Sequence, residues 1–431
     1  MRVLVTGAYG LIGAACLARL QSDGHQLVGA GRSISAARRQ FAYAQWIEID
    51  VARLTEAAAW QRFLRGIDAV VNCVGVLQDG ARDDVRRVQL LGTQALFDAC
   101  VRTGVKRIVH VSAIGASPEG PSAFSRTKAA AEAHLQRLAL DWVILRPALV
   151  LGAAAYGGTA LLRGIAAFPG IVPVIAADSR IQVLSLDDLA ETVAWSLKPG
   201  APSRVVWDVA HPQVHALAAL VLAMRGWLGF APCRVLRLPD GAGRVVAAIA
   251  DASGWLGWRS PARSTAFAQL SAGVVGDPAA WMAATGVRPK SLNEILAARP
   301  ASVQDRWFAR LYLLKPLAVV GLAAMAIGSG AAQLASRRNG AAATADASMT
   351  AFTLHTVAGL VYGVLAILVG LGLLARTTAR PALMALVVLA LVHVANGGPG
   401  SWSLGHLPLA AISAIPIVLA ALLTLAIADE R

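Results

Sequence analysis

Residues 1–14 read MRVLVTGAYGLIGA, and the rest of the chain is best understood outward from them. Val3, Leu4 and Val5 form a short apolar run of the kind that lies buried in a parallel sheet. Thr6 and Gly7 break the run, and Gly10 and Gly13 follow at intervals of three before an Ala/Leu-rich helical stretch. The first glycine permits a tight turn, the second a close backbone approach to a ligand, and the third lets the helix settle on the strand. The N–H groups at the helix start, together with the helix dipole, then face an anion such as a pyrophosphate. A strand before and a helix after give this spacing its meaning.

The pattern continues downstream. Residues 26–30 form a second short strand ending in Gly31-Arg32-Ser33, the place where a dinucleotide fold meets the adenosine ribose. An acidic residue there prefers a free 2′-hydroxyl, whereas an arginine accommodates a 2′-phosphate. Arg32, helped by Arg38 or Arg39, therefore favours NADP(H), with NAD(H) as the alternative. Residues 46–51 read as a third strand with Asp50 at its end, beside the adenine edge, and residues 69–74 as a fourth running into Gly75. A helix over 90–101, a fifth strand over 107–112 ending in Ser112, and a sixth over 143–151 follow. Residues 181–197 read as a strand and a helix capped by Ser185, with Asp187 and Asp188 in its first turn. Such alternation predicts an α/β fold with a doubly wound parallel sheet.

The residues T-G-A-Y-G-L-I-G, Asn72-Cys73-Val74-Gly75, Ser112 and Leu145-Arg146-Pro147 resemble a short-chain dehydrogenase/reductase. The variety is the extended or atypical one, similar to NAD(P)-dependent epimerase/dehydratases and the reductase-like proteins of complex I. This resemblance covers roughly residues 1–300. It implies a Rossmann core over 1–205, a smaller substrate-side region over 206–300, and cofactor contacts from Thr6, Gly7, Tyr9, Gly10, Leu11, Ile12, Gly13, Arg32, Asp50, Val51, Val74, Gly75, Lys128 and Pro147. It also implies a catalytic Ser, Tyr and Lys, the last two spaced Y-x-x-x-K so that both lie on one helix face. The lysine then lowers the phenol pKa and holds the nicotinamide ribose, while the phenol exchanges a proton with substrate.

Here the chain departs from the pattern. The matching segment, residues 122–128, places Phe124 where the tyrosine belongs, while Ser112 and Lys128 remain as catalytic candidates. None of Tyr9, Tyr43, Tyr156, Tyr312 or Tyr362 has a lysine four residues on. A substitute acid would come from Tyr156, Ser125 or His110, although His110 lies in an apolar strand and reads as a core histidine. Three functions follow in order: a reductase of a lipophilic carbonyl or quinone-like substrate, a non-catalytic NAD(P)H-binding scaffold of a membrane complex, and a sugar-nucleotide epimerase/dehydratase.

Composition carries the remainder. The 431 residues are 56% apolar with net charge +14, and mean hydropathy is +0.58, too high for a wholly soluble protein. The basic residues are scattered arginines with five lysines and no aromatic-interleaved basic run, which argues against nucleic acid and for an anionic membrane surface. Cys16, Cys73, Cys100 and Cys233 lack metal-ligand spacing; the first three sit in apolar contexts and read as reduced core thiols. No signal peptide is expected at the N-terminus. Residues 205–300 hold Trp207, Trp227, Trp255, Trp258 and Trp281, read as a small domain's core, with Trp255, Leu256 and Trp258 as alternative membrane-interface residues.

After residue 300 come four apolar segments, about 311–334, 351–374, 382–395 and 407–426, against the about 20 residues a span needs. They resemble a DoxX-like membrane domain and imply a multi-pass inner-membrane protein. Arg306, Arg310, Arg376 and Arg380 assign the N-terminal domain and C-terminus to the cytosol, although Arg337 and Arg338 would then face outward. His355, His393 and His406 read as interfacial or structural, with a haem or quinone role as the alternative. Gly397–Gly400 reads as a tight turn.

Overall fold

The computed structural model describes residues 1–81, 83–340, 349–395 and 409–428, which divide into two compact units. The first comprises Met1–Ala252 and Ser260–Arg306; the second comprises Ser253–Arg259 and the residues from Trp307 onward.

In the first unit, strands β1 (Arg2–Thr6), β2 (Gln26–Gly31), β3 (Gln45–Glu48), β4 (Ala69–Asn72), β5 (Arg107–Val111) and β6 (Asp141–Pro147) alternate with helices α1 (Leu11–Ser22), α2 (Ser35–Gln40), α3 (Ala57–Leu64), α4 (Thr93–Thr103) and α5 (Ala123–Gln136). Next come β7 (Leu149–Leu151), α6 (Gly158–Ala166), β8 (Ile171–Ile175), β9 (Arg180–Ile181), β10 (Val183–Ser185), α7 (Leu186–Ser196) and β11 (Val205–Val209). Seven strands form one sheet in the order β11-β6-β5-β4-β1-β2-β3, every neighbouring pair parallel. Thr6 pairs with both Ala30 and Asn72, so the first three loops to matter open at one end of the sheet.

The strands are apolar on both faces because both are covered. Val3, Val5, Val71, Val109 and Val143 face Leu17 and Leu20 of α1 and Leu189 and Val193 of α7. Leu4, Val70, Ile108 and Ile144 face Trp60 and Leu64 of α3, Leu96 and Phe97 of α4, and Leu135 of α5. Adjacent residues of one strand thus serve opposite layers, the period-two consequence of the pleat.

The structure corrects the sequence reading in three places. The third strand stops at Glu48, and Asp50 instead caps a 3-10 turn, Val51–Arg53, accepting the Ala52 N–H at 3.2 Å. The helix expected over 90–101 begins earlier, as a π-helical turn over Arg87–Gly92 that leads into α4. The sixth strand divides at Ala148, whose N–H donates to the Val209 carbonyl at 3.0 Å; β6 stays in the main sheet and β7 pairs with β10. Ser185 does cap α7, accepting from the Asp187 N–H at 3.2 Å.

The unit continues through β12 (His215–Ala216), α8 (Leu217–Trp227), β13 (Arg234–Leu238), α9 (Asp240–Trp255), α10 (Ser264–Ala272), α11 (Ala279–Thr285) and α12 (Leu292–Ala297). Strands β8 and β13 make a separate parallel pair. Trp207 and Trp281 belong to the core, as read, whereas Trp255 is 75% exposed.

The second unit is helical: α13 (Val303–Gly340) enters it, followed by α14 (Met349–Leu374), α15 (Arg376–Ala395) and α16 (Leu409–Ala426). Among the described residues, Val303–Ala335 and Arg376–Val394 are long and apolar enough to cross a membrane, and Gly359–Leu374 and Ala414–Ala426 are shorter apolar helices. Leu322, Ala326, Leu373, Leu383 and Ala421 pack together among these helices. The His393 and Tyr362 rings lie 5.7 Å apart. The Gly397–Gly400 turn, His406 and the side chains of Arg337, Arg338 and His355 lie outside the described residues.

Candidate functional site

The carboxyl ends of β1, β2, β4, β5 and β6 gather the residues singled out above, at the end of a parallel sheet where ligands of such folds bind. Gly7 has φ +65°, and a Cβ there would come within 2.9 Å of the Cys73 carbonyl. The Gly10 N–H donates to the Gly7 carbonyl at 2.9 Å, and Gly10 caps α1 without any side-chain hydrogen bond. Leu11, Ile12 and Gly13 form the first turn, whose N–H groups are the usual anion donors of a helix start. A Cβ on Gly13 would run into the Gly7 carbonyl and approach Ala8 Cα to 2.8 Å. The cradle therefore fits a dinucleotide pyrophosphate. Gly13→Val is expected to weaken NAD(P)H binding by more than about 100-fold, measured by titration of the cofactor's fluorescence, since the whole pyrophosphate turn must shift.

On the adenosine side, Arg32 follows β2 and its Nη2 donates to Asp83 Oδ1 at 2.7 Å. Tyr9 packs over Gly31, where any Cβ would collide with its ring. Val51 is buried, and its carbonyl closes against Gly92 of the π-helical turn.

On the other side, Lys128 is 4% exposed; its Nζ donates to the Val111 carbonyl at 2.8 Å and the Val74 carbonyl at 3.4 Å. A Cβ on Gly75 would stand 3.8 Å from that Nζ, so the exposed glycine lies directly over the buried ammonium. Burial pulls the Lys128 ammonium down to about 8, opposed by Glu132. Ser112 is buried, and its hydroxyl donates to Glu132 Oε1. Arg146 grips the same carboxylate in a fork, Nε at 3.1 Å from both oxygens and Nη2 at 2.5 Å from Oε2. Phe124 is half-buried one turn before Lys128 on α5.

The three substitute acids fare differently. Ser125 donates to the Gly115 carbonyl and accepts from the Ser117 N–H, which ties it to the start of α5. Tyr156 is exposed on the loop before α6. His110 is fully buried, beside Asn72 Nδ2 at 3.1 Å and edge-on to Phe97, and burial with the nearby Lys128 charge holds its pKa well below the usual value. It is a neutral core histidine. Thr6 donates to Asn72 Oδ1 at 2.6 Å, which also accepts from the Val74 N–H at 3.3 Å, so one asparagine links the β1 and β4 loops. Pro147 closes β6, its carbonyl accepting from the Ile114 N–H at 3.1 Å.

Sequence reasoning missed Asp83, Asn72 as a bridge, and Glu132. Glu132 carried a readable signal: it lies four residues after Lys128, on the same helix face. Asp83 sits in a loop with no motif.

The NAD(P)H-binding family matches residues 7–165. These residues form an NAD(P)H-binding Rossmann domain. An uncharacterized protein of Mycobacterium tuberculosis is 30% identical over 188 residues, 44% of this chain and 19% of that protein. The chain thus spans about a fifth of the length of that relative. The ceramide reductase of Caulobacter vibrioides is 24% identical over 255 residues, covering 58% of this chain and 77% of that protein. In fold, the chain is similar to the Bordetella bronchiseptica enzyme WbmG, solved in complex with NAD and UDP, at a TM-score of 0.54 and 19% identity over 72% of this chain and 96% of that one.

Proposed function

We propose that this protein is a membrane-anchored, NADP(H)-dependent reductase of a lipophilic carbonyl or quinone-like substrate. The observation that carries the reading is Lys128, buried below an open glycine with a pKa near the working pH, beside a Ser112 hydroxyl held by Glu132. When bound, NADPH supplies a hydride. The glycine loop of β1–α1 binds the pyrophosphate, Lys128 holds the ribose and supplies the positive charge next to the reacting oxygen, and the Ser112 hydroxyl, on turning from Glu132, donates its one hydrogen bond to that oxygen. Phe124 cannot give a proton, so Lys128, which exchanges its own near pH 8, takes that part. The apolar helices α13 and α15 support anchoring, and Arg306, Arg310, Arg376 and Arg380 support a cytosolic first unit. The ceramide reductase likeness supports a lipid-like substrate.

A second reading, a non-catalytic NAD(P)H-binding scaffold of a membrane complex, is favoured by Phe124 alone. Purified protein in nanodiscs, titrated with NADPH and NADH and then given long-chain ketones and quinones, separates the two. NADPH oxidation dependent on Lys128 establishes the reductase; selective binding without turnover establishes the scaffold. Binding of neither nucleotide overturns both.

Cofactor preference has its own test. The Arg32–Asp83 ion pair competes with a 2′-phosphate for the guanidinium, and the Asp83 carboxylate repels that phosphate. Asp83→Ala is expected to tighten NADPH about 3- to 10-fold and leave NADH nearly unchanged, the scale of one partly exposed charge contact. Equal changes for both nucleotides would remove Arg32 from 2′-phosphate recognition.

A further inference from the structure

Helix α9 turns the wrong face outward for a helix in water. Val245, Val246, Ala248, Ile249 and Ala252 are all exposed, Ile249 to 67%, while the inward positions are Gly243, Ala247, Ala250 and Gly254. Surface helices place charge outward; on this face from Arg244 to Ala252 the only ionisable side chain is Arg244. The remaining one on that stretch, Asp251, is half-buried and bonded to Arg263 Nε at 2.8 Å. An apolar strip of this kind marks an interaction surface.

We infer that the outward face of α9 is an interfacial membrane-binding face, seated in the headgroup boundary of an anionic phospholipid bilayer. This rests on the membrane anchoring proposed above and adds a second contact with the same bilayer, made by the substrate-side region. Two observations choose lipid as the occupant. First, α9 runs on into Ser253–Arg259, which belongs to the unit of apolar helices. There Trp258 Nε1 donates to the carbonyl of Leu374, the last residue of α14, at 2.6 Å, and the Arg376 N–H donates to the Leu256 carbonyl at 2.9 Å. Arg376 opens α15, which is long and apolar enough to cross a membrane, and the end of such a helix lies at the interface, where exposed tryptophans such as Trp255 settle. Second, the charges along the helix beyond its first turn and just before it are positive, Arg244 on the helix and exposed Arg234 on β13, with the exposed Asp240 at the helix start the one acid outward and +14 over the whole chain. Apolar area flanked by basic residues, with no acid on the outward strip from Arg244 to Ala252, is the pattern that binds anionic lipid surfaces.

The test uses the full chain in nanodiscs of phosphatidylethanolamine and phosphatidylglycerol. A nitrobenzoxadiazole label is placed at Ile249→Cys, or at Glu48→Cys on the exposed edge strand as control, in a Cys233→Ser background. NADPH binding checks that each variant is folded; if the unlabelled protein binds no nucleotide, circular dichroism serves instead and the inference is tested all the same. Lipids carrying a nitroxide on the upper acyl chain are expected to quench the Ile249 label by roughly twofold or more and leave the Glu48 label unchanged. Replacing phosphatidylglycerol with phosphatidylcholine is expected to reduce that quenching, and undiminished quenching would overturn the choice of an anionic surface. A label as open to water as the control overturns the inference, and so does a label shielded from aqueous iodide yet untouched by nitroxide lipid, since protein then covers the face. Failure of the chain to reconstitute at all would instead count against anchoring by α13 and α15.

Discussion

Lys128→Met is expected to abolish turnover while leaving the fold at least as stable at pH 7. Removing a group that supplies charge and a proton at the reacting oxygen typically lowers rates by roughly 10²- to 10⁴-fold. Stability moves the other way because the buried ammonium opposes folding. Its folded pKa, about 8, lies below the roughly 10.4 of an exposed lysine, so the native state releases its proton first. Between these values the unfolded chain holds more protons, and wild-type stability therefore rises with pH across that window, by up to about 3 kcal/mol from this group. Below pH 8 the cost is present in full. Methionine carries no charge, so its variant should show a flat profile from pH 8 to 10. Thermal unfolding in nanodiscs at pH 7.5 and 10, beside NADPH oxidation, reads both effects. A variant whose stability still climbs through the window would show that Lys128 is not the buried cation responsible.

Arg146→Leu should be the most damaging change to the fold. Glu132 is 2% exposed, and without Arg146 its carboxylate keeps only the Ser112 hydroxyl among the side chains that bond it. Breaking a buried pair by removing one member costs about 3–5 kcal/mol. For a unit of this size that is a fall in melting temperature of roughly 5–8 °C. The reverse change, Glu132→Gln, leaves a half-buried Arg146 that can reach water and should cost far less. The double variant should recover most of the loss, because no uncompensated charge remains. Equal losses from both single changes would mean that packing, not the unpaired carboxylate, sets the cost.

The sheet was legible because its signals are local. Each strand is a short apolar run, and the first turn announces itself through three glycines. One boundary failed on local turn chemistry, Asp50 accepting the Ala52 N–H two residues on and capping a turn, and another on a tertiary contact, Ala148 drawn aside by the Val209 carbonyl. The site divided in the same way. The glycine loop and the Phe124–Lys128 helix face follow from spacing alone. The Glu132–Arg146 fork joins a helix to a strand 14 residues on, and the Arg32–Asp83 pair joins a strand end to a loop 51 residues away, distances at which sequence holds no periodicity to read. The helices after residue 300 were legible by composition, which reports length and apolarity but not arrangement.

The order of strands also fixes a timetable for the nascent chain. Strand β1 precedes the other six in the chain, yet its neighbour β4, the central strand, emerges only around residue 70, and the edge is completed by β11 at Val205–Val209. Pairings this distant form slowly. From Val209 to the start of α13 the ribosome must still add roughly ninety residues, about 5–20 seconds of synthesis. The nucleotide-binding sheet can therefore be finished before any long apolar helix leaves the ribosome, and two parts of opposite solvent preference need never be unfolded at the same time.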